Sequence, residues 1–199
     1  MTGWTDLAAR LADQIAAQGH LSDPAWRDAF TAVPRHVFVP RFLRDDSTVV
    51  DGADSRDRDE WLAAVYSDTS LTTQTMRAPG ADTEWPTSSS TRPSLMAHML
   101  HLLDAAAGHR VLEIGTGTGY HTALLCHRLG DTKITSIDIH PDLVQQARDR
   151  LASLGYEPHL VARDGAAGVP ERAPFDRIIA TCAVPTVPGP GSSSSPPLA

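Results

Sequence analysis

Cysteine, lysine and long apolar runs are all scarce in this sequence. Its 199 residues include two cysteines, Cys126 and Cys182, which are too few for a disulfide framework or a zinc knuckle. No stretch approaches the roughly 18 apolar residues that a membrane-spanning helix needs. The N-terminus also lacks the basic and apolar regions of a signal peptide. These absences predict a soluble protein in the reducing cytoplasm, with no membrane partner.

Positive charge is scarce as well, and nearly all of it comes from arginine. The net charge is −7, and Lys133 is the only lysine among the 17 basic residues. An acidic chain without a basic block binds nucleic acid poorly on electrostatic grounds, so no nucleic-acid partner is expected. The remaining composition, with 41% hydrophobic and 21% charged residues, is typical of a globular domain.

The N-terminal segment, placed at residues 1–45, shows helical periodicity. Its apolar residues recur at helical spacing, which predicts helices over residues 4–18 and 24–32. Residues 33–42 are bounded by two prolines and are expected to be extended.

The second segment, residues 46–92, is predicted to be a loop or lid that carries substrate-side residues. The part up to residue 60 is dense in charged residues, which indicates a solvated loop. Residues 72–90 are rich in Thr, Ser, Pro and Gly, and this composition predicts a long ordered loop.

In the third segment, residues 93–185, short apolar runs alternate with stretches of helical periodicity. This alternation predicts a parallel sheet with right-handed crossovers, an α/β fold of the Rossmann-like type behind an N-terminal helical extension. The predicted strands lie at residues 110–114, 133–139, 158–162 and 175–181. Residues 186–199 consist mainly of Pro, Gly and Ser and are expected to be disordered.

The strongest functional motif is a glycine-rich turn after the first of these strands. Gly115, Gly117 and Gly119 would let the backbone approach a ligand closely, and the helix that follows offers free N–H groups. The spacing is G-x-G-x-G, which differs from the dinucleotide pattern G-x-G-x-x-G. Glu113 just before the turn would repel a pyrophosphate but would suit a ligand that carries an ammonium group.

Two further acids follow the next two strands. Asp138 lies where a carboxylate can accept hydrogen bonds from ribose hydroxyls, and Asp164 could reach an adenine amino group. One such acid alone would more simply cap a helix or make a turn. Three acids together with G-x-G-x-G indicate adenosine joined to an amino acid, which is S-adenosylmethionine.

These stretches resemble a known family. RVLEIGTGTGYHTALL, the Asp138 position, RDGAAG and APFDRIIAT are similar to class I S-adenosylmethionine methyltransferases. Within that class the sequence most resembles protein-L-isoaspartate O-methyltransferases, because VPRHVFVP and AVYSD match further segments of that family. Ser-Ser-Thr-Arg-Pro, residues 89–93, falls where the family has its T-I-S-Q-P active-site loop. The resemblance covers residues 33–188.

The resemblance implies roles for particular residues. Thr91 aligns with the serine of T-I-S-Q-P, beside the methyl donor and the substrate carboxylate, and Ser89 and Ser90 could substitute for it. Arg35 and His36 would contact a substrate carboxylate or hold the N-terminal segment in place. The implied cofactor-binding residues are Glu113, Gly115, Thr116, Gly117, Gly119, Asp138, Ile139, Asp164 and Gly165.

Histidines are expected to play smaller parts. His98 and His101 form a possible metal pair but lack a third ligand, so no metal site is predicted. His121 is expected at the surface or as a capping residue.

The implied function is methyl transfer to an aspartyl or isoaspartyl carboxylate in a protein or a peptide. Residues 72–92 lack the family's glycine–glutamine run and carry Trp85, which leaves two substrate hypotheses open. One is a damaged protein. The other is a ribosomally made peptide, as in the relatives that accompany ATP-grasp enzymes in peptide-maturation clusters.

Two alternatives come from other functional classes. Only four strands are counted, so the sheet is expected to be truncated after the fourth, and a catalytically inactive homologue that binds a peptide or partner is the alternative. A nicotinamide dehydrogenase would share the sheet but is disfavoured by G-x-G-x-G and Glu113. The sequence leaves the oligomeric state open.

Overall fold

A computed structural model describes residues 3–77, 80, 84–184 and 186 of the chain. These residues form two sheets of four strands each, together with seven α-helices. In the described part of the chain every helix is too short or too polar to cross a bilayer. The helices are α1 Trp4–Ala17, α2 Pro24–Ala32, α3 Arg35–Phe38, α4 Arg58–Val65, α5 Pro93–Leu103, α6 Tyr120–Leu129 and α7 Pro141–Ser153.

The two N-terminal helices form as the apolar spacing predicts. Helix α1 buries Leu11 and Ile15 on one face, and α2 begins at Pro24 with the Asp23 carboxylate accepting from the Ala25 N–H at 2.8 Å. The extended segment predicted over residues 33–42 is wrong in part, because α3 makes a helical turn there. That turn places Arg35 and Phe38 on one buried side, whereas an extended chain would point them to opposite faces.

The first sheet is antiparallel and has the order β2-β1-β3-β4. It corrects the prediction that residues 46–92 form a loop, since most of this segment lies in strands and in α4. Threonine suits a pleated, half-buried surface, but threonine and serine give no apolar alternation by which a strand could be recognised. The strands are β1 Arg41–Leu43, β2 Val49–Asp51, β3 Leu71–Arg77 and β4 Glu84–Ser90.

The second sheet is parallel and has the order β7-β6-β5-β8, which confirms the predicted α/β architecture. Its two central strands, β5 and β6, are buried on both faces, as parallel strands are, whereas the edge strand β8 leaves Ile178 61% exposed. All five residues of β6 are buried. The strands are β5 Val111–Ile114, β6 Ile134–Asp138, β7 His159–Ala162 and β8 Arg177–Ala180.

One buried core connects the N-terminal helices to the parallel sheet. Ile15 of α1, Trp61 of α4, Leu100 of α5 and Leu124 of α6 belong to the same cluster of packed side chains. The proposed segment boundaries near residues 45, 92 and 185 stay a prediction. The predicted disordered tail lies almost wholly outside the described residues.

Candidate active site

A cavity of about 390 Å³ lies between the carboxyl ends of the parallel strands and the end of β4. Ligands bind at the carboxyl ends of the strands in open α/β sheets, so this is the position that the fold favours. Its walls come from both sheets and from the first residues of α6. The lining residues are Pro86, Thr87, Ser88, Ser89, Ser90, Thr91, Met96, Gly115, Thr116, Gly117, Thr118, Tyr120, His121, Asp138, Leu143, Thr181, Cys182 and Ala183.

The three glycines of the turn have different positions. Gly115 and Gly117 line the cavity, and Gly117 has φ of +52° with only the Ser88 Oγ within 4 Å of an added Cβ, at 3.8 Å. Its surface is therefore open backbone that a ligand can approach. Gly119 packs instead, since a Cβ there would lie 3.0 Å from the Ala147 Cβ of α7.

Asp138 lines the cavity at the end of β6 and holds the glycine turn. Its carboxylate accepts from the Gly117 N–H at 2.9 Å and from the His140 N–H at 3.0 Å. Ile139, the next residue, is 64% exposed and lies outside the lining of the cavity. The structure thus places Asp138 at the glycine turn, and its expected hydrogen bonds with ribose hydroxyls stay a prediction.

Asp164 and Gly165 lie beyond the cavity walls. Asp164 caps the 3₁₀ turn Gly165–Ala167 by accepting from the Ala166 N–H at 2.9 Å. A Cβ on Gly165 would lie 2.4 Å from the Ile114 Cγ2, so this glycine lets the turn pack closely against β5. Their implied contacts with adenine remain predictions.

Glu113 is fully buried behind the cavity wall and is absent from its lining. Its Oε1 is 2.6 Å from the His121 Nδ1, and its Oε2 accepts from the Ser136 hydroxyl at 2.6 Å and from the Thr122 hydroxyl. Both carboxylate oxygens are therefore engaged within the protein. The expected direct contact between Glu113 and the cofactor does not match this geometry.

His121 is a cavity residue that the sequence analysis missed. The sequence predicts a surface or capping residue here, yet His121 is buried, lines the cavity and pairs with Glu113. Its Nε2 has no hydrogen-bond partner among the described residues. The available signal was its position in the first turn of α6, directly after the glycine turn.

The hydroxyl residues predicted at the methyl acceptor meet at the end of β4. Ser89, Ser90 and Thr91 all line the cavity on the side formed by the antiparallel sheet. Ser90 is 2% exposed, and its Oγ accepts from the Arg35 Nη2 at 3.2 Å. The structure therefore places the three predicted catalytic residues and the glycine turn around one cavity.

Arg35 fixes residues 90 and 91 by hydrogen bonds. It is fully buried, and besides Ser90 it donates to the backbone carbonyls of Val65 at 2.9 Å, Thr69 at 3.2 Å and Thr91 at 3.1 Å. The suggested roles of Arg35 are contact with a substrate carboxylate and holding the N-terminal segment in place. The geometry matches a holding role, but the segment that Arg35 holds is residues 90 and 91.

The charge of Arg35 has consequences for the site. All its hydrogen-bond acceptors in the described part of the chain are neutral oxygens. Burial lowers the pKa of Arg35 to about 10, which leaves it cationic at neutral pH. Because the Ser90 oxygen accepts from this cation, the Ser90 proton is free to point at another acceptor.

Sequence comparison identifies relatives over most of the chain. The profile of the Protein-L-isoaspartate(D-aspartate) O-methyltransferase family matches residues 41–191. Protein-L-isoaspartate O-methyltransferase 2 of Archaeoglobus fulgidus is 33% identical over 183 residues, which cover 91% of this chain and 70% of that protein. Protein-L-isoaspartate O-methyltransferase 1 of Anaeromyxobacter sp. is 35% identical over 190 residues, covering 94% and 74%.

Structure comparison agrees with this assignment. A solved protein-L-isoaspartate O-methyltransferase superposes with a TM-score of 0.65 at 28% identity, covering 89% of this chain and 48% of that chain. A Plasmodium falciparum protein described as an isoaspartate methyltransferase, in complex with S-adenosyl-L-homocysteine, shares the fold with a TM-score of 0.61 at 15% identity, covering 90% of this chain and 75% of that chain. The chain belongs to the protein-L-isoaspartate(D-aspartate) O-methyltransferase family.

Proposed function

We propose that this protein transfers a methyl group from S-adenosylmethionine to an aspartyl or isoaspartyl carboxylate in a protein or a ribosomally made peptide. One observation carries the proposal: an open glycine turn and a hydroxyl-bearing strand end line the same cavity of about 390 Å³. Family membership supports it, as does the related fold solved with S-adenosyl-L-homocysteine.

The cofactor side of the cavity fits an adenosine-linked amino acid. The Gly117 backbone faces space that a side chain would partly fill, and Asp138 holds the turn at the strand end. We assign cofactor contact to Gly115, Thr116, Gly117 and Asp138, with Ile139, Asp164 and Gly165 beside them. Glu113 contributes from behind the wall, through His121. When bound, S-adenosylmethionine supplies an electrophilic methyl group.

The acceptor side must orient a carboxylate and exclude water, because a carboxylate is already a competent nucleophile. The Ser90 hydroxyl accepts from Arg35 and donates its proton to one carboxylate oxygen. Thr91 and Ser89 supply further hydroxyls along the same wall. The buried charge of Arg35 favours an anionic acceptor over a neutral one.

A cytoplasmic location is part of the same proposal. Cys126 and Cys182 are unpaired in the structure, and free thiols fit a reducing compartment.

A transfer assay with the full chain tests the function. Labelled S-adenosylmethionine is offered with one peptide in three forms, which carry isoaspartate, aspartate or isoasparagine at the same position. Base-labile methyl ester on either acidic peptide, and none on the amide, supports the proposal. S-Adenosylhomocysteine binding without transfer to any carboxylate would instead favour the binding-module alternative.

A further inference from the structure

A second, smaller cavity of about 140 Å³ adjoins the first and shares Thr118 and Leu143 with it. Its walls carry two arginines from different elements, Arg41 at the start of β1 and Arg150 in α7. We call this space the arginine cleft. It lies at the border between the two sheets and beside the candidate active site.

Both arginines of the cleft lack an acidic partner in the part of the chain that the structure describes. Arg150 donates to the Thr118 carbonyl at 3.2 Å and to the Gln146 amide oxygen at 3.1 Å, and both acceptors are neutral. Arg41 makes no ion pair within the described residues.

The nearest acids each accept a hydrogen bond from another group. Asp51 lies opposite Arg41 in the β1–β2 register, but its Oδ1 accepts from the Ala53 N–H at 2.8 Å. Asp149, next to Arg150 in sequence, accepts from the Gln145 amide at 2.8 Å. The cleft therefore presents two arginines without an ion pair among the described residues, in a protein whose net charge is −7.

The two guanidinium groups also act on each other. Burial lowers the pKa of Arg150, the positive charge of Arg41 lowers it further, and the Asp149 carboxylate offsets part of this decrease. Like charges held together at a partly buried position are unfavourable, and an anion between them relieves the repulsion. Guanidinium groups match the planar fork of a carboxylate, which they can bind with two parallel hydrogen bonds.

We propose that the arginine cleft binds an acidic side chain of the substrate, an Asp or Glu close in sequence to the methyl acceptor. This inference rests on the proposed function. Each residue of an extended peptide spans about 3.4 Å, so one strand can occupy two adjoining cavities within a few residues. The protein therefore selects peptides in which a second carboxylate accompanies the first.

A peptide series with the full chain tests this selection. Each peptide carries one isoaspartyl acceptor and a single Glu at one of the flanking positions, and its partner carries Gln at that position. At the best position we expect KM to be about tenfold lower for the Glu peptide, as for one charge-assisted hydrogen-bonding contact. Equal KM values at every position would overturn the proposal.

Variants then locate the effect. Arg41→Gln and Arg150→Gln should each bring the Glu-to-Gln ratio of KM toward one. Arg148→Gln, which removes the same charge from the same helix outside the cleft, should keep the ratio. A preserved rise in melting temperature with S-adenosylhomocysteine shows that each variant is folded. A ratio that persists in both cleft variants contradicts the assignment.

Peptide binding separates this inference from the proposed function. Calorimetry with S-adenosylhomocysteine-loaded protein measures the Glu and Gln peptides without turnover. An arginine-dependent preference for the Glu peptide without any methyl transfer would support the proposed role of the cleft and contradict the proposed function. Equal methyl transfer to the Glu and Gln peptides would support the proposed function and contradict the proposed role of the cleft. Tight binding of inorganic phosphate without a peptide preference would assign the cleft to a free anion and overturn the proposal.

Discussion

The two sheets meet at one cavity and offer it different chemistry. The parallel sheet contributes backbone: Gly115 and Gly117 face the cavity, and Asp138 fixes their turn. The antiparallel sheet contributes side-chain hydroxyls from β4, in which only Ser88 and Ser90 are buried. A backbone turn held by buried strands suits a cofactor that is always the same molecule. The more exposed side chains of β3 and β4 suit peptide substrates that differ in sequence.

Arg35 contacts both regions: it donates to Ser90 at the end of β4, and its guanidinium lies 5.7 Å from the centroid of the Tyr120 ring at the start of α6. Its loss should have the largest effect. Arg35→Met leaves several buried carbonyls without a donor and removes the charge beside Ser90. We expect a loss of about 3 kcal/mol or more in unfolding free energy and at least a hundredfold fall in kcat/KM. Urea unfolding and the transfer assay measure both.

A matched control makes the Arg35 result specific. Arg10→Met changes the same residue type on the exposed side of α1 and should alter stability by less than about 0.5 kcal/mol. A stable Arg35→Met protein with normal transfer would show that the two sheets do not depend on this link.

Glu113 tests the parallel side alone. Glu113→Gln keeps the shape but replaces the charged partner of His121, Thr122 and Ser136. We expect a loss of about 1–3 kcal/mol in unfolding free energy and weaker S-adenosylhomocysteine binding. Calorimetry on the folded variant measures the affinity. Unchanged stability and affinity would show that the Glu113 carboxylate contributes neither to folding nor to S-adenosylhomocysteine binding.

Ser90 tests the antiparallel side alone. Ser90→Ala removes the hydroxyl that accepts from Arg35 and should lower kcat/KM for the peptide about tenfold. Its affinity for S-adenosylhomocysteine should remain that of the parent chain. Ser55 is exposed and lies outside the cavity lining, so Ser55→Ala is the control for a serine-to-alanine change as such. An equal loss in cofactor affinity would contradict the division of labour between the sheets.

Trp85 should give the smallest change in stability. Its ring is 63% exposed on β4, so Trp85→Ala should shift the unfolding free energy by less than about 0.5 kcal/mol. If the hairpin contacts substrate, KM for a peptide rises severalfold while KM for S-adenosylmethionine stays. Steady-state kinetics with each substrate varied in turn measures the two KM values. An unchanged KM for the peptide would show that Trp85 does not contact the substrate.

The parallel sheet could be predicted from sequence because its signals are local. Buried strands appear as short apolar runs, and the helix expected after the glycine turn is α6, whose two ends are marked by that turn and by Gly130. The motif G-x-G-x-G predicted a glycine turn for the same reason, and that turn lines the cavity.

The antiparallel sheet escaped prediction because its signals are not local. Strands β3 and β4 consist largely of Thr, Ser and Gln, and register shifts around Thr73 and Thr87 break any alternation. Arg35 reaches Ser90 across 55 residues, a contact that no short pattern encodes. Likewise, the position of Glu113 was clear, but its orientation toward His121 depends on how α6 packs on β5.

Calorimetric binding of S-adenosylhomocysteine to three proteins tests whether the cavity at the glycine turn holds the cofactor. Gly117→Ala and Gly155→Ala both place a side chain at a positive φ with no atom closer than 3.8 Å to the new Cβ, so their cost in stability should be similar. Only Gly117 lines the cavity. We expect one-to-one binding by the parent chain and by Gly155→Ala, and at least tenfold weaker binding by Gly117→Ala. No binding by the parent chain, or equal binding by all three proteins, would contradict it.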